Sequence, residues 1–345
     1  MTRRNDRFLK ACRKEATDCT PVWFMRQAGR YMKEYQAIRE KYSLIEMFKN
    51  PDLVTEITLQ PVKAFPIDAA IIFADILLPL EGMGVGFEFP PEGGVRINNP
   101  VRSDRDVVKL QVPEPEENLG YVLKSLRMVR SEIEGVVPLI GFAGAPFTLA
   151  SYAIEGGSSS NYLMAKDFMY RQPDSWHLLM KKLSETILEF LKAQVRAGAQ
   201  VVQIFDSWIG CLSPSDYRQY VFPYMRDLFS ALKKEAGPSI HFGTGTAGLL
   251  QLMAEAGGDV VGVDWRISLD RAWSLIGTDK GVQGNLDPAV LQAPVEFIKE
   301  KAAEIMTEAD ERPGHIFNVG HGILPGTPED SVKALAEYVH EYSVK

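Results

Sequence analysis

Two arginines four residues apart, Arg26 and Arg30, stand in the segment MRQAGRYM, 25–32. On a helical turn they would share a face. Their planar guanidinium forks suit carboxylate or phosphate groups. Solvated surface arginines, or a structural pair with Asp or Glu, are the alternative. Asp75 ends the apolar run Ile71-Ile72-Phe73-Ala74. A carboxylate there could accept hydrogen bonds from N–H donors or steady a developing cation at low dielectric. It could equally cap a helix or sit in an internal salt bridge. His321 stands between Gly320 and Gly322, residues that permit close backbone approach. Its imidazole could donate a hydrogen bond, move a proton, ligate a metal or serve structure alone. Ser207 and Tyr152 are neutral donors suited to orienting a polar ligand. No G-x-S-x-G elbow occurs, so there is no serine-hydrolase case. GTGTAG (243–248) lacks the lysine of a Walker loop and the spacing of a dinucleotide fingerprint, and reads as a tight loop entering a helix. The chain has no H-x-x-x-H and no H-x-C. Asp75, Asp206 and Asp264 could in principle hold Mg²⁺, but nothing else in their loops asks for it.

These residues need elements to place them. Eight short apolar segments recur, at 21–24, 69–74, 138–142, 201–205, 239–242, 260–264, 281–283 and 315–319. Several are nearly continuous in Val, Ile and Phe, as strands buried on both faces are. Helical patterns lie between them. One covers 52–65 after Pro51, another 176–197. A third covers 214–234, with a proline in its first turn after Ser213. Thr327-Pro328-Glu329-Asp330 has the form of a capping box, followed by Val332, Leu335 and Val339 on one face. Strands alternating with helices imply right-handed crossovers and a parallel sheet. Eight of them predict an α/β fold: a single (β/α)8 TIM-type barrel over 1–345. A doubly wound open sheet is the alternative. Segment 82–95 alternates and is rich in turns, which predicts a β-hairpin inserted after strand 2. In such barrels chemistry sits at the C-terminal strand ends, where Arg26, Arg30, Asp75, Tyr152, Ser207 and His321 all fall. His241 and His315 lie within strands and take a packing role.

The 345 residues are 46% apolar and 24% charged, which excludes a mainly disordered chain. A formal charge of −7 disfavours a general nucleic-acid binder. Residues 1–40 nevertheless carry ten Lys/Arg against five Asp/Glu, a net +5, which leaves −12 for the remainder. An anion site should draw on that first segment. Three cysteines, with no C-x-x-C, point to a reducing compartment rather than a disulfide framework. The opening MTRRNDRFLKACRKE has no apolar signal core, and no run reaches about 18 apolar residues. The expected location is the cytoplasm, with no membrane partner.

The blocks PVWFMRQAGRYMKEY (21–35), AAIIFADIL (69–77), GFAGAPFTLASY (141–152), QGNLDP (283–288) and FNVGHGI (317–323) resemble the uroporphyrinogen decarboxylase family, in order and over nearly the whole chain. The first block is the most specific. The resemblance implies a single (β/α)8 barrel with a deep cleft, usually a homodimer, without cofactor or metal. It implies loss of CO₂ from the four acetate side chains of uroporphyrinogen III, giving coproporphyrinogen III in haem biosynthesis. It assigns substrate binding to the loop Arg26, Gln27, Ala28, Gly29 and Arg30, and to Arg39, Asp75, Tyr152, Ser207 and His321. Asp75 and Arg30 take the catalytic roles. Phe147 stands where some relatives have Trp. The chemistry fits: a protonated pyrrole ring is its own electron sink, Asp75 can offset its charge, and arginines can hold the carboxylates. A zinc-dependent corrinoid-type methyltransferase on a related barrel would carry cysteines after strands 5 and 8. This chain has His241-Phe242-Gly243 and Gly320-His321-Gly322 there. A non-catalytic tetrapyrrole-binding protein stays open.

Overall fold

The computed structural model describes residues 6–90 and 93–344. Residues 1–5 of the basic segment, Pro91 and Glu92 of the expected hairpin, and Lys345 at the end of the expected domain lie outside the described residues. β1 (Ala70–Ile71) comes first. β2 (Phe87–Glu88) and β3 (Arg96–Ile97) form a small antiparallel ladder, Phe87 opposite Ile97 and Glu88 opposite Arg96. Six more strands follow: β4 (Leu139–Gly144), β5 (Val201–Asp206), β6 (Ser239–Gly243), β7 (Val260–Gly262), β8 (Gly281–Gln283) and β9 (His315–Ile316). The main sheet runs β1-β4-β5-β6-β7-β8-β9, every pair parallel. The order never reverses, so the sheet has no switch point of the doubly wound kind.

The sheet is curled. Gln203 of β5 and Gln283 of β8 lie three strands apart, which a flat sheet would separate by about 14 Å. Yet the Gln283 Nε2–H donates to Gln203 Oε1 at 3.1 Å, and Gln283 Oε1 accepts the Trp23 indole N–H at 2.9 Å. Val22 lies between the two outer strands. It bridges Phe317, just past β9, and its carbonyl accepts the N–H of Asp68, just before β1, at 2.8 Å. The buried Asp68 carboxylate secures the junction. Its oxygens take the Val22 N–H at 2.7 Å and the Arg7 guanidinium at 2.9 Å, and His340 Nε2 lies 2.7 Å away.

Helices cover the outer face. Pro51–Ala64 starts where Asn50 accepts the N–H groups of Asp52 and Leu53. Pro173–Arg196 buries a stripe of Trp176, Leu179, Met180, Leu183, Ile187 and Leu191 against β4 and its neighbours. The expected helix at 214–234 is two helices, Pro214–Tyr220 and Phe222–Glu235. Pro223 has no N–H to continue the ladder, so the chain breaks at Val221. The expected capping box at Thr327 is also not made. Glu329–Tyr342 starts after Pro328 with no side-chain cap, and the Thr327 hydroxyl accepts from Gln292 instead. β9 is shorter than 315–319, because Phe317 leaves to bridge Val22 and Val319 to bridge Leu286.

Candidate active site

At the C-terminal strand ends a cavity of ≈ 590 Å³ opens. Arg26, Ala28, Gly29, Arg30 and Arg39 line it, and so do Asp75, Tyr152, Ser207 and His321. The shared face of Arg26 and Arg30 does not come from a helix. Residues 25–31 form turns, and Arg26 itself takes the left-handed backbone conformation, φ +60°. A non-glycine residue held there is strained and must be fixed by its surroundings. The fixing is visible. Asn318 Oδ1 accepts the Met25 N–H at 3.1 Å, and Met25 O accepts the Ile323 N–H at 2.9 Å. The loops after the first and last apolar segments are thereby tied together.

Gln27 supplies the rest of that scaffold and does not line the cavity. It is fully buried. Its Oε1 accepts the Phe24 N–H, its Nε2 donates to Ala69 O, and its carbonyl accepts the Tyr31 hydroxyl at 2.7 Å. Its side chain and carbonyl are thus occupied inside the protein, in the loop that the expected ligand contacts share. Arg39 reaches the cavity from the helix Lys33–Arg39, with one Nη held by Tyr42 O at 2.8 Å.

Asp75 serves two readings at once. Its Oδ1 accepts the Leu77 N–H at 2.9 Å, as a local turn cap does, and the residue still lines the cavity. Burial pushes its carboxyl above the usual carboxylate range, although the Leu77 bond and the Arg26 charge oppose the shift. The same burial raises the Tyr152 phenol, and the Asp75 charge adds to it. A neutral hydroxyl and a poorly solvated carboxylate therefore share one wall. His321 is held neutral. Burial pushes its imidazole down to about 4, helped by the positive charges of Arg26 and Arg266.

Asp75, Asp206 and Asp264 are not brought together. Asp206 faces Thr148 inside the fold, and Asp264 accepts the Gly245 N–H at 2.6 Å and pairs with Arg266. Among the described residues no three His, Cys, Asp or Glu side chains group to hold a metal. GTGTAG is structural: Thr244 donates to Ser207 O at 2.6 Å and Gly245 to Asp264. Phe147 is buried against Trp176, 6.0 Å between ring centres, away from the cavity.

An aromatic wall went unread in the sequence. Phe142, Phe205 and Phe242 line the cavity and form a ladder over β4, β5 and β6, with ring centres 5.4 and 5.8 Å apart. Trp208 extends it, packed between Tyr152 at 5.8 Å and Tyr162 at 5.6 Å. The signal was a Phe one or two residues before the end of each strand, in GFAG, IFD and HFG. Ser158 also lines the cavity, from the glycine loop against which the small ladder docks. There Gly157 bridges Arg96, and a Cβ at Gly157 would stand 2.5 Å from Val95 O.

A basic rim, one half-buried carboxylate and a wall of edge-to-face aromatic rings suit a large polyanionic ligand that carries N–H groups. The comparisons with known proteins agree. The uroporphyrinogen decarboxylase (URO-D) family profile matches residues 3–342. The uroporphyrinogen decarboxylase of Carboxydothermus hydrogenoformans is 57% identical over 339 residues, 98% of this chain and 97% of that one. That of Sorangium cellulosum is 55% identical, over 97% and 96%. Among solved structures, a methyltransferase from Methanosarcina mazei superposes with a TM-score of 0.84 at 21% identity, covering 99% of both chains. A B12-independent methionine synthase from Shewanella sp. W3-18-1 gives 0.56 at 11%, over 94% of this chain and 97% of that one. At those identities the structural matches speak for the fold, while the sequence matches, at over 50% identity along nearly the full length, speak for the lineage: the chain belongs to the uroporphyrinogen decarboxylase family.

Proposed function

We infer that the chain removes CO₂ from the four acetate side chains of uroporphyrinogen III, giving coproporphyrinogen III, and that this cavity is where it does so. The carrying observation is Asp75, a poorly solvated carboxylate that lines the same cavity as Arg26, Arg30 and Arg39. A proton added to a pyrrole ring carbon makes that ring cationic. The bond from the acetate methylene to its carboxylate then breaks, CO₂ leaves, and the electron pair neutralises the ring as an exocyclic methylene. A proton at that methylene, and loss of the one first added, gives the methyl product. Asp75 receives the pyrrole N–H groups. Because burial penalises its charge, that charge is stabilised most when the ring turns cationic, so it favours the transition state over the ground state. Arg26 and Arg39 hold substrate carboxylates. Arg30 orients the reacting acetate and holds the water that delivers the proton. Tyr152, Ser207 and His321 orient the macrocycle as neutral hydrogen-bonding groups.

The test is anaerobic incubation with uroporphyrinogen III, counting product carboxylates. Eight falling to four is the expected result, and unchanged substrate would leave a tetrapyrrole binder. No cofactor or metal is proposed, so activity should survive EDTA and dialysis. Stoichiometric zinc with activity lost on its removal would favour the zinc-dependent methyltransferase alternative.

Finer features of the fold belong to the same reading. Val22 counts as the first strand of a single eightfold barrel over the whole chain, and β2 with β3 as the hairpin inserted after the second. The assembly proposed is a homodimer, tested by light scattering. Among the described residues no helix is long and apolar enough to cross a membrane, which supports a cytoplasmic place, tested by fractionation.

A further inference from the structure

Asp206 ends β5, immediately before Ser207 and Trp208, which both line the cavity. Its own side chain turns inward and is fully buried. Oδ1 accepts the Thr148 hydroxyl at 3.0 Å, and Thr148 Oγ1 accepts the Trp208 N–H at 3.3 Å. Thr148 sits in the first turn of the helix Pro146–Glu155, whose entry is fixed by the Ala145 N–H on Phe205 O at 2.9 Å. Oδ2 of Asp206 has no hydrogen-bond donor among the described residues; His241 Nε2 stands 3.9 Å away. A carboxylate buried with so little compensation is costly, and its position implies a use.

The use follows from polarity. A carboxylate is acceptor-only, so the single Thr148 proton must point at Asp206. The Thr148 lone pairs are then left for the Trp208 N–H. An amide in the same place could present its NH₂ instead and compete for those lone pairs. We propose that Asp206 is a positioning residue of this site: through Thr148 it fixes the backbone of Trp208, and with it the placing of Ser207 and the indole wall. The proposal rests on the decarboxylase reading of the cavity.

Three variants test it, read by kcat and KM on uroporphyrinogen III, by thermal melting and by near-ultraviolet circular dichroism. Thr148→Val keeps the shape and removes the relay. It should lose about tenfold or more in kcat/KM, because sub-ångström misplacement is enough for that, and it should alter the tryptophan dichroism. Thr148→Ser restores the hydroxyl and should return to within about threefold of the parent. Asp206→Asn should fall between them, since one of its two amide orientations preserves the relay. A Thr148→Val protein with parental kinetics and dichroism overturns the proposal. So does a Thr148→Ser protein as impaired as Thr148→Val, or an Asp206→Asn protein worse than Thr148→Val, which would mean that the charge acts directly. If Thr148→Val does not fold, Asp206→Asn impaired beside active Thr148→Ser supports the relay, and equal activity removes it. Failure of the parent protein to decarboxylate uroporphyrinogen III would instead sink the functional reading, and the dichroism arm would still judge the relay.

Discussion

Arg26 crosses Gly322 so closely that a Cβ at Gly322 would stand 2.3 Å from Arg26 Cδ and 2.6 Å from Cγ. The second glycine of Gly-His-Gly is thus the channel through which the first arginine of the rim reaches the cavity. Gly322→Ala should push the Arg26 side chain aside and cost about tenfold in kcat/KM, mostly through KM. The melting temperature should change little, because the displaced guanidinium can move into solvent. Arg26→Ala added to Gly322→Ala should cost nothing more, a non-additive cycle. Additive losses would show that Gly322 acts otherwise.

Asp75 both caps a turn and faces the cavity, and two substitutions separate these roles. Asp75→Asn keeps an acceptor for the Leu77 N–H and loses the charge. It should melt within a few degrees of the parent and lose about 10²-fold or more in kcat. Asp75→Glu keeps the charge but displaces it, and should retain part of the activity. A near-normal Asn variant beside a crippled Glu variant would leave Asp75 with the cap alone.

Arg30→Lys should raise KM and lower kcat, because an ammonium cannot reproduce a planar two-pronged contact with a carboxylate. Added salt should lower kcat/KM in the parent, since Arg26 and Arg30 are exposed. Kinetics of Arg30→Lys that match the parent would remove the clamp from the mechanism.

Two histidines set a direction for acid sensitivity. Burial pushes His315, like His321, down to about 4, whereas an unfolded imidazole titrates near 6.5. Between those values the unfolded chain binds more protons. Stability is therefore complete above about pH 6.5 and is lost as pH falls toward 4, by up to about 1.4 kcal/mol per pH unit for each histidine. Denaturation midpoints at pH 7, 6 and 5 should show the decline, and His315→Gln should flatten it. Stability that rises on acidification over this range would contradict the assignment.

The strands were legible because burial on both faces writes nearly continuous apolar runs, as in Val201-Val202-Gln203-Ile204-Phe205. The charged rim was legible because Arg26, Arg30 and Asp75 follow such runs. The inward turn of Gln27 was not legible, since a polar side chain in a loop gives no sign that it ties Phe24 to Ala69. Phe142, Phe205 and Phe242 escaped notice because an aromatic facing a cavity and one facing a core look alike in one dimension. The split at Val221 was written in Pro223, which the helical period around it concealed. Asp206 was visible only as a possible metal ligand, because its partner Thr148 is 58 residues away.

The junction at Val22 and Asp68 sets an order of birth. Phe317 and His340, which complete it, lie hundreds of residues downstream of their partners. On the ribosome the N-terminal arginines must wait, with Val22 unpaired on the side that Phe317 will take, until almost the whole chain has emerged. Arg26 and His321 meet only then, so the cavity is completed in one late event rather than by degrees. A message that stops short of Gly322 leaves no partial enzyme, only an open sheet exposed to chaperones and proteases.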